Sequence, residues 1–179
     1  MSKPDVKNSI WKELWEYIKM IIFVVAVVLV VNNFLLINAR VPSESMENTI
    51  MTGDRFFGNR LAYLFDDPER FDIVVFKYPD DESQLFVKRV IGLPGETVEI
   101  KDGKVYINGS QTPLDDSFTP ETPTGDYGPY VVPEGSYFML GDNRNHSGGS
   151  RFWKQPYVEK EKIVGKAIFR YFPGIKILK

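Results

Sequence analysis

The sequence predicts a mainly β fold: an N-terminal transmembrane helix followed by an antiparallel β-barrel or folded sheet. Three observations predict it. An 18-residue apolar run, Met20 to Ile37, lies near the N-terminus. Beyond residue 40 the apolar residues come in short β-branched and aromatic runs separated by turn signals. No long helical period recurs after the apolar run.

The chain has 179 residues, 43% hydrophobic and 14% aromatic, enough for one anchor and one domain with a real core. Its formal charge of −2 carries no nucleic-acid signature. It has no Cys and one His, which excludes thiol chemistry, disulfides and multi-histidine metal sites. No metal and no cofactor are expected.

Residues 1–19 form an N-terminal segment in which Ile10, Trp11, Leu14, Trp15 and Ile18 recur at helical spacing. It reads as an interfacial helix on the cytoplasmic side. Residues 20–38 are the transmembrane anchor. At 1.5 Å per residue the apolar run spans roughly 27 Å, against about 30 Å of bilayer hydrocarbon. Asn32 and Asn33 interrupt it near its outer end. Lys3, Lys7, Lys12 and Lys19 all precede it, which places the N-terminus in the cytoplasm and residues 39–179 outside, in a single-pass protein of the cell membrane. A cleaved signal peptide is the rival reading, but Ile37-Asn38-Ala39 is a poor small-x-small site.

Strand runs follow at Phe71–Tyr78, Leu85–Leu93, Tyr130–Leu140 and Lys162–Tyr171, with a hairpin over Thr97–Ile107 turning at Asp102-Gly103. Thr112 to Gly128, rich in Pro, Thr and Asp, reads as a surface loop.

Three stretches can carry chemistry. Ser45 directly follows the anchor, in Arg40-Val41-Pro42-Ser43-Glu44-Ser45-Met46. A lone serine is usually structural; Pro42 stiffening the entry and a turn with N–H groups free to donate favour a nucleophile. Lys88 lies within the apolar strand Phe86-Val87-Lys88-Arg89-Val90-Ile91. Alternation puts Phe86, Lys88 and Val90 on one face and Val87, Arg89 and Ile91 on the other. Either cation then points into apolar surroundings, unless the sheet bends. A buried lysine loses its charge more easily and becomes a base; a lysine on the solvated side of an edge strand does not. The third stretch, Gly141 to Arg151, is dense in turn formers and polar side chains. It is either an ordinary loop or a shell that orients a nucleophile and its base.

Taken in order, Ser43-Glu44-Ser45-Met46 after an anchor, Gly53-Asp54, FDIVVFKYP, VKRVIGLPG and GDNR…S…SR resemble the type I signal peptidases, in the compact Gram-positive-like form. The resemblance covers roughly residues 20–153. It implies a membrane-bound serine endopeptidase that removes signal peptides from exported preproteins at an Ala-x-Ala site. Ser45 matches the nucleophile and Lys88 the general base. Ser43 matches the serine that joins the Ser45 N–H in the oxyanion hole, and Ser147 the serine that orients the lysine. Asp142 and Arg144 match structural residues. Val41, Pro42, Ile50, Phe86 and Val87 match pocket positions, and the substrate would add a strand to the sheet. The implied partners are signal peptides and the lipid bilayer, with no nucleic acid. Phe56, Phe57, Phe152 and Trp153 are candidates either for bilayer contact or for the core.

The chain departs from that pattern at Asn48 (usually Pro), Asn145-His146 (usually Asp-Asn) and Gly149 (usually an Asp that pairs with the arginine matching Arg151). These departures suggest specialisation for a few substrates such as pilus subunits, or a non-catalytic assembly factor for surface fibres. A Ser45–His146–Asp142 triad is a further alternative. A soluble self-cleaving repressor protease is disfavoured by the anchor.

Overall fold

The computed structural model describes residues 6–178, with side chains from Ile10 onward; Lys3 and the Lys7 side chain lie outside the described residues. The chain divides into two compact units, the first ending at Leu36 and the second beginning at Ile37.

The first unit is the helix α1, Val6–Val30, continued by a π-helical turn over Val31–Leu35. The segment is one continuous helix, with no break near residue 19 between an interfacial and a spanning part. Ile10–Leu35 is long and apolar enough to cross a membrane. Asn33 turns its amide back onto the Leu29 carbonyl at 2.8 Å, so the polar group is satisfied within the helix. The helix stops earlier than the apolar run suggests. Leu36 and Ile37 already belong to strand β1, Leu36–Arg40, where Ile37 is buried in the core of the second unit.

The second unit holds β1 and ten further strands: β2 Arg55–Asn59, β3 Ile73–Tyr78, β4 Asp81–Gly92, β5 Thr97–Lys101, β6 Lys104–Ile107, β7 Tyr127–Val131, β8 Ser136–Leu140, β9 Val158–Glu159, β10 Ile163–Phe172 and β11 Lys176–Ile177. The larger sheet has the order β1-β2-β10-β3-β4-β8-β9, with β11 against β10. It runs open from β1 to β9, a folded sheet and not a closed barrel. The smaller sheet is β6-β5-β7. The β5–β6 hairpin turns at Asp102-Gly103, both at positive φ, as a two-residue turn requires. The run Tyr130–Leu140 is not one strand. Pro133-Glu134-Gly135 breaks it into β7 and β8, which lie in different sheets.

Three apolar clusters fill the domain. Val41, Met46, Ile50, Phe56, Ile73 and Val75 form one. Val74, Phe76, Val90, Tyr137, Met139 and Trp153 form the second. Ile91, Val98, Val105, Phe138 and Leu140 lie in the third, under the small sheet. The β3 and β4 residues contribute to opposite clusters by strict alternation. Phe56 and Trp153 are therefore core residues, not bilayer contacts. Phe57 is half-buried and stacks on Tyr171 at 4.6 Å, and Phe152 is exposed.

Gly92 marks the end of β4, where the pairing with β8 slips between Val90 and Gly92. A β-carbon there would lie 2.5 Å from Val98 Cγ2 and 3.0 Å from Phe138 Cβ. Gly92→Ala is expected to lower stability by about 1–3 kcal/mol through overpacking, read from the thermal or denaturant midpoint.

Candidate active site

Ser45 is carried on a loop closed at its neck. Val41 N–H donates to the Asp54 carbonyl and Gly53 N–H to the Val41 carbonyl, both at 2.9 Å. Within the loop Glu44–Met46 form one 3-10 turn, and Thr49 and Ile50 donate back to the Met46 carbonyl. Met46 and Ile50 sink into the first core cluster, which fixes the floor of the loop. Ser45 is thereby held in the first turn of a short helix, where a leading N–H has no carbonyl ahead of it in the turn.

Lys88 meets it from the middle of β4. Lys88 Nζ donates to Ser45 Oγ at 2.5 Å, in surroundings where both side chains are buried. Ser43 Oγ lies 3.4 Å from Ser45 Oγ, on the near side of the same turn. Desolvation is the main influence on the Lys88 amine. It pulls the pKa down to about 8, against a smaller opposing pull from the Asp142 charge.

Arg89 is buried as well, at 2% exposure. The choice between the two cations that alternation poses is thus resolved by burying both, because β4 is covered on both faces here. Their partners differ. Asp142 takes Arg89 in a two-point contact, Nε to Oδ1 at 2.8 Å and Nη2 to Oδ2 at 2.7 Å. Thr49 Oγ1 donates to the same carboxylate at 2.5 Å, and Arg89 Nη1 reaches the Phe71 carbonyl. Thr49 escaped notice in the sequence because an isolated threonine in a loop carries no period or motif.

Gly141 to Arg151 packs against the Ser45 loop. Asn143 N–H donates to the Ser45 carbonyl and its amide to the Glu44 carbonyl, each at 3.2 Å. A β-carbon on Gly141 would lie 2.2 Å from Ser147 Oγ and 2.3 Å from the Ser45 carbonyl oxygen, so only glycine allows this approach. Ser147 is buried in that contact, yet its Oγ has no hydrogen-bond partner among the described residues. It lies beside Ser45 without holding Lys88. Arg144 is buried, with Nε on the Gly141 carbonyl and Nη1 on Asp116 at 2.9 Å.

The segment 112–126 is therefore more than a surface loop. Asp116 binds Arg144, and the Phe118 ring lies 4.2 Å from the Arg89 guanidinium. Two of the departing residues hold the same segment. Asn48 donates to the Phe118 carbonyl at 2.6 Å, and Asn145 Oδ1 accepts from Thr124 N–H at 2.9 Å. Asn48 also has φ +81°, a conformation that asparagine tolerates and proline cannot adopt.

Of the expected pocket residues, Phe86 stacks on Tyr78 at 4.4 Å and packs with the second cluster, while Val87 packs against the first. Val41 and Ile50 are buried in the cluster that Val87 packs against, on the face of β4 away from Phe86, and Pro42 is exposed. Ile50, with no exposed surface, is floor and not lining. His146 is exposed and lies 3.5 Å from Glu44, while Asp142 is occupied by Arg89 and Thr49. No Ser–His–Asp triad forms.

A family model described as signal peptidase, peptidase S26, matches residues 14–172. The chain is 40% identical to a signal peptidase I of Leptolyngbya laminosa over 168 residues, 89% of this chain and 80% of that protein. It is 36% identical to a signal peptidase I of Bacillus licheniformis over 183 residues, covering 97% and 94%. A crystal structure of a signal peptidase I from Enterococcus faecalis aligns with a TM-score of 0.47 at 38% identity, covering 56% of this chain and 97% of that one.

Asn48→Pro, which would install the commoner residue, is expected to lower kcat/KM by about tenfold or more, because the loop cannot keep its conformation. Asn48→Gly, free to adopt positive φ, should retain most activity when both variants are assayed for peptide cleavage.

Proposed function

The chain belongs to the signal peptidase family, peptidase S26, and we propose that it cleaves signal peptides from exported preproteins with Ser45 as nucleophile and Lys88 as general base. The single observation that carries the residue assignment is the buried 2.5 Å contact between Lys88 Nζ and Ser45 Oγ. Burial holds the amine near a pKa of about 8, so roughly a tenth of it is neutral at pH 7, where an ordinary lysine has almost none. In that fraction the hydrogen bond reverses. Ser45 O–H donates to Nζ, and the proton passes to the amine as Oγ attacks the scissile carbonyl carbon.

The tetrahedral oxyanion is stabilised by the Ser45 N–H and the Ser43 hydroxyl. Lys88, now an ammonium, returns its proton to the departing amine of the mature protein as the C–N bond breaks. This leaves the signal peptide esterified to Ser45. Neutral Lys88 then takes a proton from water, the hydroxide attacks the ester, and Ser45 recovers its proton. No third titrating group is needed.

The substrate strand has a place to pair. Strand β8 pairs with β4 at Arg89, Val90 and Gly92, which leaves the stretch of β4 before Lys88 without a neighbour on that side among the described residues. An extended peptide there gains main-chain hydrogen bonds and reaches Ser45 at the end of its run. Val87 and Phe86, on opposite faces of β4, supply the apolar walls that small side chains fit. The apolar helix anchors the protein in a membrane. The lysines before it favour an N-terminus in the cytoplasm, a single crossing of the cell membrane and a catalytic domain outside.

The test is cleavage of a preprotein with an Ala-x-Ala site by the detergent-solubilised chain. Ser45→Ala and Lys88→Ala should each abolish turnover. The unmodified chain should show kcat/KM rising with pH and levelling above about 8, since the ammonium form below that value is no base. Activity surviving in either variant would overturn the assignment.

The same burial makes Lys88 a liability for stability. Below pH 8 both the folded and the unfolded chain carry the charged amine, and the folded state bears the full desolvation cost; above the unfolded value of 10.5 the cost vanishes. Lys88→Met should therefore raise stability near pH 7 by about 3 kcal/mol while removing all activity, measured by denaturant unfolding beside the cleavage assay.

A further inference from the structure

The outer face of β1 and β2 carries two arginines set against each other. Val41 N–H donates to the Asp54 carbonyl, and a β-carbon on Gly58 would lie 3.3 Å from Ile37 Cβ. The two neighbouring strands therefore run antiparallel, with Arg40 directly opposite Arg55. Ile37, Ala39 and Phe56 turn into the first apolar cluster. Alternation puts Arg40 and Arg55 together on the other face, where both are exposed.

Neither guanidinium has a carboxylate partner among the described residues, and β1, β2, β10 and β11 contain no Asp or Glu. The other cations at this end of the sheet are taken. Arg170 pairs with Asp54 and Lys166 with Asp72, while Lys176 donates to the Thr49 carbonyl. Like charges set opposite each other repel, and an anion held between them removes that repulsion. The surroundings are aromatic. Phe172 stands opposite Arg55 on β10 and is exposed, and Tyr171 stacks on Phe57 and donates its O–H to Asn38. The position along the chain matters too. The second unit begins at Ile37, and residues 10–35 before it are long and apolar enough to cross a membrane. Arg40 follows Ile37 by roughly 10 Å of extended chain, so connectivity alone keeps it within reach of the lipid headgroups.

We infer that Arg40 and Arg55 together bind the phosphate group of one anionic membrane phospholipid. Guanidinium groups match phosphate oxygens in geometry as well as charge, and two of them facing each other across a strand pair suit one shared phosphate. A free phosphate offers the same oxygens. The nearby membrane crossing and the exposed Phe172 ring beside the arginines favour the lipid, whose acyl chains need apolar cover. The bound headgroup ties β1 and β2, and with them the neck of the Ser45 loop, to the membrane surface. The inference rests on the helix crossing a membrane and does not need the proposed peptidase role, and its readout is independent of cleavage.

The experiment titrates phosphatidylglycerol into the full chain in neutral detergent micelles and counts the bound lipid by native mass spectrometry. One phosphatidylglycerol per chain should saturate, and phosphatidylcholine, which has no net charge, should bind about tenfold or more weakly. Arg40→Gln and Arg55→Gln should each raise the half-saturating concentration by about tenfold or more. Arg40→Lys, which keeps the charge and loses the fork, should raise it by about threefold or more. Both arginines are exposed, so the glutamine variants should keep the thermal midpoint of the unmodified chain in lipid-free micelles. Equal binding of the two lipids overturns the inference. So does equal binding of phosphatidylglycerol by all four chains, which would place the lipid on another part of the molecule. A lysine variant that binds as tightly as the unmodified chain reduces the contact to diffuse attraction and overturns the site. Inorganic phosphate that binds at the same concentrations and displaces the lipid makes this a free-anion site and overturns it as well. Should a glutamine variant lose its midpoint, the lysine variant and the comparison of the two lipids decide.

Discussion

The structure depends on which of two buried cations takes one buried carboxylate. Lys88 and Arg89 are consecutive on β4 and point to opposite faces, and both are out of water. Asp142 gives both oxygens to Arg89 and receives a further bond from Thr49. Lys88 is left with an alcohol, Ser45, as its polar partner. A direct Asp142–Lys88 contact would favour the ammonium and raise its pKa. Keeping the acid on Arg89 leaves desolvation as the larger influence on the amine, with Asp142 felt only as a weaker charge at a distance. The arginine thus has a chemical role without touching the reacting atoms. It occupies the carboxylate that would otherwise hold the proposed base in its charged form.

That arrangement requires three segments that are far apart in sequence to meet. The loop 41–54 brings Ser45 and Thr49, the segment 141–151 brings Asp142, Asn143 and Ser147, and the segment 112–126 brings Asp116 and Phe118. Phe118 lies against the Arg89 guanidinium and, at 5.9 Å, near that of Arg144, so its ring covers two cations at once. The departures at Asn48 and Asn145 are compensated within this contact. Each directs an amide onto the 112–126 segment, and Asn48 takes a backbone conformation that the usual proline forbids. They adapt how the segment is held while leaving the dyad intact, which argues against a non-catalytic assembly role.

How much of this could be read from the sequence follows from the range of each signal. The β3, β5, β6 and β10 strands and the Asp102-Gly103 turn are local patterns and were legible as such. Lys88 stood out because a cation in an apolar strand violates alternation. The burial of Arg89 beside it did not, since period-two reasoning allows one buried face and β4 has two. Strand β1 was hidden because Leu36 and Ile37 continue the apolar run, and apolar residues serve a bilayer and a core equally well. The division of Tyr130–Leu140 turned on Pro133 and Gly135, a breaker that the hydrophobic pattern on either side outweighed. Thr49 and Phe118 carry no local signature at all. Their roles exist only once β4, β8 and the loops are assembled.

The cost of the site explains its distribution. Burying Lys88, Arg144 and Arg151 opposes folding, and the buried Arg89–Asp142 pair is at best weakly favourable against an apolar replacement of the same shape. These groups are confined to the region where the Ser45 loop, β4 and the 141–151 segment meet, while the three apolar clusters are closed with aromatic and β-branched side chains. Local rules therefore fail in one place and hold elsewhere, the pattern expected when strain is retained for chemistry. Ser147 is the clearest instance. Its hydroxyl is buried against Gly141, close to the Ser45 carbonyl, with no hydrogen-bond partner among the described residues, and a buried hydroxyl in that state opposes folding.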